Sequence, residues 1–344
     1  MLVGTAQLST AAQRWRRGVW LSLAVLALCA LSLTPYLTSS TEIVRMRNAL
    51  QLMDGDARSF DWTPATVPAD FMLERGAPDP LFVEAANRLG LAGMSSDWER
   101  AVAISRHLLS NPKLDGPPIQ SDLRDTYRRI VDNGEGYCGD FTRVFMAFAL
   151  AEGIPVRAWA FSLDGFGGHG HVWPEIWNRQ LERWQLVDVY NNFYFPGRDG
   201  LPMSAMAFRR TMLEEPKSLH RELLHPGARP GYEFEDKLRD WYLRGLDGWY
   251  MAWGNNVFSY DKAIMMRHLG RVSRSLEQLD GIAMGVYPKV NLMVSETNRA
   301  RVDAMWRLRK HLIVAAWVSA LAMFSLFVCL IVSALARRNS AVGQ

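Results

Sequence analysis

Two uncharged apolar runs bracket this 344-residue chain and constrain its folding more than any other feature. From Gly18 to Thr41 no residue is charged, and the stretch VWLSLAVLALCALSL is nearly all apolar. From Leu312 to Ala336 the sequence LIVAAWVSALAMFSLFVCLIVSALA again carries no charge. Each run reaches the roughly 20 residues that a helix needs to cross a bilayer core. Helices of soluble proteins are rarely apolar on all faces for this length. Residues 18–41 and 312–336 are therefore expected to be transmembrane helices.

A cleaved signal peptide is the alternative for the first run. No A-x-A site follows it, and Leu28 stands before Cys29 where a lipoprotein signal needs a small residue. An uncleaved anchor is the better reading. Arg14, Arg16 and Arg17 precede the first run without an acid among them, whereas Glu42 accompanies Arg45 and Arg47 after it. The positive-inside rule then puts residues 1–17 in the cytoplasm and returns the tail, 337–344 with Arg337 and Arg338, to the same side. Arg307, Arg309, Lys310 and His311 argue for the opposite orientation, but the first span usually dominates. Residues 42–311 are expected outside the cytoplasm.

Between the runs the composition is that of a folded domain. The hydrophobic fraction is 49% and the aromatic fraction 11%, which excludes disorder. The net charge of +4 comes without a basic stripe interleaved with aromatics, so no nucleic acid is expected as a partner. Three cysteines, two of them inside the apolar runs, make no disulfide framework. Residues 42–94, with Pro64, Pro68, Pro78 and Pro80, read as a connector lying over the surface. SSDWERAVAISRHLL and SDLRDTYRRIV read as helices, the first capped by Ser96 or Asp97. In CGDFTRVFMAFALAEG the apolar Phe141, Val144, Phe145, Phe148 and Ala149 fall at helical spacing, with Gly153 and Pro155 as stop signals. VRAWAF, HVWPEIW and RWQLVDVY read as strands. Residues 201–311 are mainly helical by pattern, and RARVDAMWRLRKH is expected to run on into the second span.

The remaining cysteine, Cys138, lies in GEGYCGDF, directly after a glycine-rich turn and at the first position of an expected helix. A helix N-terminus presents unpaired N–H groups and partial positive charge, which favour a thiolate. A lone buried cysteine is often only a small apolar residue, so the signal needs a base and an orienting group. His171, in GGHGHVWPEIW, is the candidate base and Asp188, in WQLVDVY, the candidate orienter. If NRQL, residues 178–181, is the hairpin loop, partner numbers sum to 359 and His171 faces Asp188 directly. Directly opposed residues share a face, with Cβ atoms about 5 Å apart. His169 is the competing base, two residues earlier in a glycine-rich loop. The H-G-H pair with Cys138 and Asp188 also suggests zinc ligands, but no second Cys or His pair at a metal spacing accompanies it.

On these residues the chain resembles the transglutaminase-like superfamily. GYCGDFTRVFMAFALAEGIPVRAW is similar to that family's cysteine-helix signature, and HVWPEIW with RWQLVDV to its histidine and aspartate strands. The resemblance covers roughly residues 95–195 and implies a domain over 95–200. The implied fold is α+β, with a papain-like core in which the cysteine helix packs on an antiparallel sheet. The implied roles are Cys138 as nucleophile, His171 as base and Asp188 as orienter. The Cys138 N–H would be one oxyanion donor, with Asn133 or Tyr137 as candidates for the second. Trp173 and His169 would neighbour the substrate.

The implied activity is hydrolysis of an amide (peptide or isopeptide) bond, or acyl transfer to an amine, with no metal and no organic cofactor. The partner expected is a protein or peptide substrate, in a two-pass protein of the bacterial inner membrane whose main domain is periplasmic. A non-catalytic binding or scaffold domain serving a cell-envelope or polysaccharide system is the alternative. One departure from the family pattern is Pro174, which cannot donate to a sheet ladder and so suggests an edge or bulged strand.

Overall fold

The computed structural model describes residues 3–53, 59–111, 118–119, 121–228, 235–262 and 274–342. Its helices are α1 (Val3–Leu33), α2 (Ser40–Leu50), α3 (Pro80–Arg88), α4 (Asp97–Leu108), α5 (Leu123–Asn133), α6 (Cys138–Ala151), α7 (Ala205–Glu214), α8 (Glu235–Gly245), α9 (Val257–Lys262), α10 (Arg274–Ala283) and α11 (Arg299–Val342). The strands are β1 (Val156–Ser162), β2 (Gly170–Asn178), β3 (Arg183–Leu186), β4 (Phe193–Tyr194), β5 (Glu222–Leu223), β6 (Trp249–Trp253) and β7 (Lys289–Leu292). Contacts divide the chain into two units, Met1–Leu50 with Ala304–Gln344, and Gln51–Asp303.

In the first unit, α1 and α11 meet along a seam of small residues. Ala315, Ala322 and Cys329 recur every seventh position and are buried. Ser22 donates to Ser325 at 3.1 Å, and a Cβ added to Gly18 would lie 2.7 Å from the Cys329 sulfur. Small residues let two helix backbones approach closely. Away from the seam, Trp20, Leu21, Leu28, Trp317, Leu321 and Phe324 are largely exposed. Two segments, Arg14–Leu37 and Arg299–Ala336, are long and apolar enough to cross a membrane, with mean hydropathies of 1.9 and 2.5. The arginine-rich stretch before the second run is continuous with it in α11, as its pattern predicts.

The second unit is built on a five-stranded antiparallel sheet of order β3-β2-β1-β6-β7. Alternation along each strand gives it two different faces. Val156, Ala158 and Ile176 join a cluster with Phe82, Ile104, Ile130 and the apolar stripe of α6. That stripe, Phe141, Val144, Phe145, Phe148 and Ala149, is completely buried. The helix stops where Gly153 takes a left-handed φ of 65° and Ile154 N–H returns to Ala149 O at 2.8 Å. Trp159, Phe161, Trp173, Trp249, Met251 and Trp253 point to the other face, into a cluster with Trp62, Phe195, Phe208 and Tyr242.

Two regions differ from the sequence expectation. Residues 42–94 do not simply lie over the surface. Trp62 and Phe71 are buried against Trp253, Phe82 is buried under α6, and Leu52 bridges to Val290. Residues 201–311 are not only helical, because they supply β6 and β7 to the central sheet. Trp249, Met251 and Trp253 of β6 lie buried in the aromatic cluster.

The β2–β3 hairpin also turns one residue later than expected. The observed pairs, such as Trp177 with Trp184 and Glu175 with Leu186, sum to 361 rather than 359. Asn178 stays in the strand because its side chain accepts from the turn N–H groups of Gln180 and Leu181, at 3.0 and 3.1 Å. Glu182 completes the turn at a φ of 49°. A register shift of two preserves the face on which every side chain lies. Pro174 is in an interior strand, not an edge. Its carbonyl accepts from Val187 N–H at 3.0 Å, its nitrogen donates nothing, and β3 ends one residue earlier, at Leu186.

The aromatic face holds the ion pair of Arg157 and Glu175, both almost fully buried. Glu175 accepts from Arg157 Nε at 2.6 Å, Trp159 Nε1 at 2.7 Å and Ala205 N at 2.6 Å. Removing one member of such a pair strands the other charge in the core, at a cost of about 3–5 kcal/mol. Glu175→Ala should therefore lower the unfolding midpoint of the detergent-solubilised chain sharply, whereas Glu99→Ala, at an exposed position, should change it little. Equal effects in a thermal melt would contradict this account.

Candidate active site

The turn before α6 is held by one buried carboxylate. Asp140 Oδ2 accepts from Tyr137 N at 2.9 Å and from Ile119 N at 3.0 Å. Gly136 has a φ of 102°, and a Cβ there would meet both Asp140 and Ile119 at 3.2 Å. Glycine is required at this position for both reasons. The turn delivers Cys138 as the first residue of α6, partly exposed. The first N–H groups of a helix have no acceptor within it, so those of Cys138 and Gly139 point outward at the positive helix end. A Cβ added to Gly139 would meet nothing within 4 Å, so the surface at the second residue of the helix is open.

His171 lies near the start of β2 and is 3% exposed. Its Nε2 is 2.9 Å from both carboxylate oxygens of Asp188. The Cys138 side chain acts on the same ring, and Nδ1 is the nitrogen that Asp188 does not engage. Burial opposes charge on this imidazole. The charge of Asp188 and its hydrogen bonds, with the influence of the Cys138 side chain, outweigh burial and raise His171 to about 10. Trp173 stacks on the ring at 5.4 Å and 29°.

By the observed register Asp188 lies across from Trp173, one same-face step from His171, so the histidine and the carboxylate meet diagonally rather than directly. Just beyond the end of β3, Asp188 N–H bonds to Phe193 O and Phe193 N–H returns to Asp188 O, at 2.9 and 3.1 Å. Asp188 is completely buried. Its remaining acceptor sites are filled by Asn191, whose backbone N–H donates to Oδ1 at 3.2 Å and whose Nδ2 donates to Oδ2 at 3.1 Å. The Tyr242 hydroxyl donates to Oδ2 as well. Beside Tyr242 on α8, Trp241 places its ring 5.0 Å from that of His171.

The other expected site residues are placed as follows. His169 is exposed in the β1–β2 turn, where its carbonyl accepts from Leu163 N–H at 2.7 Å. Asn133 is exposed and donates to Glu135 at 2.9 Å. The Tyr137 N–H is taken by Asp140, and its side chain is 50% exposed. Trp173 is completely buried and supports the imidazole from behind the surface. Asn191, Trp241 and Tyr242 had not been expected at the site. Asn191 carries a weak local signal, an amide three residues after an aspartate in a turn. Tyr242 and Trp241 carry none. A groove of about 950 Å³, lined by Trp62, Trp177, Trp184 and Arg183 among others, includes none of Cys138, His171 or Asp188. Among the described residues no group of three His, Cys, Asp or Glu side chains is arranged to hold a metal ion.

Searches of curated proteins and of solved structures return no significant match to this chain. Residues 85–189 match the family model of the transglutaminase-like superfamily. The matched segment runs from α3 through the cysteine helix, β1, β2 and β3 to the residue after Asp188. Its mixture of helices and antiparallel sheet is the α+β arrangement described above. The chain carries a transglutaminase-like superfamily domain.

Proposed function

We propose that this chain is a membrane-anchored thiol enzyme that cleaves or transfers the acyl group of an amide, peptide or isopeptide, through Cys138, His171 and Asp188. The observation that carries the proposal is the buried imidazole of His171, hydrogen-bonded to the Asp188 carboxylate and under the electrostatic influence of the Cys138 thiol. Imidazolium beside a sulfur favours thiolate. The Cys138 thiolate attacks the carbonyl carbon, and the displaced electron pair moves to the carbonyl oxygen. The N–H groups of Cys138 and Gly139 are the donors proposed for that oxyanion, since the Tyr137 N–H and the Asn133 amide are engaged elsewhere. Collapse breaks the C–N bond as His171 gives its proton to the leaving amine. Water or a second amine then attacks the thioester, returns a proton to His171 and expels the thiolate. Neither step calls on a metal or an organic cofactor.

The charge pattern around the first span supports a cytoplasmic N-terminus and an extracytoplasmic domain in a bacterial inner membrane. An envelope protein or peptide is then the substrate class. A non-catalytic domain that binds envelope partners is the competing reading, and labelling separates the two. Iodoacetamide should modify Cys138 rapidly at neutral pH in the full chain. His171→Ala should slow this by about 10²-fold or more, while His169→Ala should leave it within a few-fold. Acyl-enzyme should be trapped on Cys138 by mass spectrometry after incubation with envelope extracts. Labelling insensitive to His171, with no trapped acyl group, would favour the binding domain.

A pH test follows from the raised imidazole. A group whose folded value exceeds its unfolded value, here about 10 against 6.5, adds stability that is complete below about 6.5. That stability disappears as pH rises through about 10. The unfolding midpoint of Asp188→Asn should therefore lie furthest below that of the unmodified chain near pH 6 and approach it by pH 10. A gap constant with pH would refute the charge account.

Orientation has its own measurement. Alkaline phosphatase fused after residue 200 should be active and a cytoplasm-dependent reporter at the same place silent. The reverse pattern would mean that Arg307 to His311 set the topology.

A further inference from the structure

The matched family segment ends at residue 189, yet the carboxylate of Asp188 is held by a side chain 54 positions further on, from α8. We propose that Tyr242 is a positioning residue whose hydroxyl both aims the Asp188 carboxylate and tempers its hold on the His171 proton. This inference rests on the thiol-enzyme reading above.

Asp188 has no access to solvent, so protein donors alone must satisfy its charge. His171, the two donors of Asn191 and the Tyr242 hydroxyl are those donors. The titratable groups facing His171 are Asp188, Cys138, Tyr242 and, with ring centroids 6.4 Å apart, Tyr190. While His171 is protonated, its own charge balances the carboxylate. When it gives its proton to a leaving amine, the carboxylate stands alone in the core. A hydroxyl donor stabilises that lone anion more than it stabilises the ion pair. Tyr242 thus lowers the cost of proton release at the step where the amine departs.

The hydroxyl is fixed in place. The Tyr242 ring packs edge-on against Phe195, Phe208 and Trp173, with centroids 5.7, 5.2 and 5.8 Å away. Phenylalanine at 242 keeps these contacts and removes only the donor.

The test follows the imidazole of His171 by NMR in the full chain in detergent micelles, with histidine ¹⁵N labelling and assignment by His171→Gln. Tyr242→Phe should raise the titration midpoint of His171, equivalent to roughly tenfold weaker proton release. 3,5-Difluorotyrosine at position 242, the same shape with a stronger donor, should lower it. A residue that only packs would leave the midpoint unchanged, and one that only aligns Asp188 would lower it when lost, as Asp188→Asn does. Either result for Tyr242→Phe overturns the proposal while the thiol-enzyme reading stands. If Asp188→Asn also leaves the midpoint unmoved, both fall together.

Discussion

The carboxylate of Glu175, shut away from water, organises the aromatic half of the folded domain. It receives the guanidinium of Arg157 from β1, the indole of Trp159 and the first N–H of α7. Arg157 in turn donates to Phe60 O at 2.9 Å and lies 3.9 Å over the ring of Trp184. One ion pair thereby joins two strands, a helix start and the segment leading into α3. Taking both charges out of water is costly, and only near-complete hydrogen bonding offsets it. That requirement fixes which face of β2 points inward. Trp173 and His171 follow at two-residue steps on the same face, so the pair that anchors the sheet also aims the imidazole.

Much of this was readable from local pattern. The stripe of α6 and its glycine stop depend on spacing alone, and the helix begins and ends where that spacing predicts. The meeting of His171 and Asp188 was readable even though the hairpin register was misread by two. Strand parity survives an even shift, and a diagonal neighbour is still within reach of a long polar side chain. The true loop was hidden because it depends on Asn178 folding back on the turn and on Glu182 accepting a left-handed backbone. Neither preference is visible in residue type alone. Trp62, Phe71 and Tyr242 were hidden for another reason. Their partners lie far away in sequence, and no short-range period records such a contact.

Pro174 shows how a rule can be right in chemistry and wrong in place. The missing N–H does interrupt a ladder, but on one side only. β1 remains paired with β2 through Ala158 and Pro174, while β3 ends and the chain turns through Asp188 toward Phe193. The interruption allows the strand after the hairpin to leave the sheet just where the Asp188 carboxylate meets the imidazole of His171. The result is an arrangement assembled from a helix start, a strand, a turn and a distant helix, with a partly exposed sulfur and a buried imidazole.

The position of β6 has a consequence for how the domain tolerates being cut. β1 is the middle strand of the sheet, paired with β2 on one side and with β6 from Ala158 to Phe161 on the other. A fragment ending near residue 200 keeps every residue of the family match but loses that second partner. Four residues of open ladder would then face water beside Trp159 and Phe161. An unpaired, aromatic strand edge invites pairing with another chain. Residues 249–253 close that edge in the folded chain, so a fragment cut to the family match would be expected to expose it.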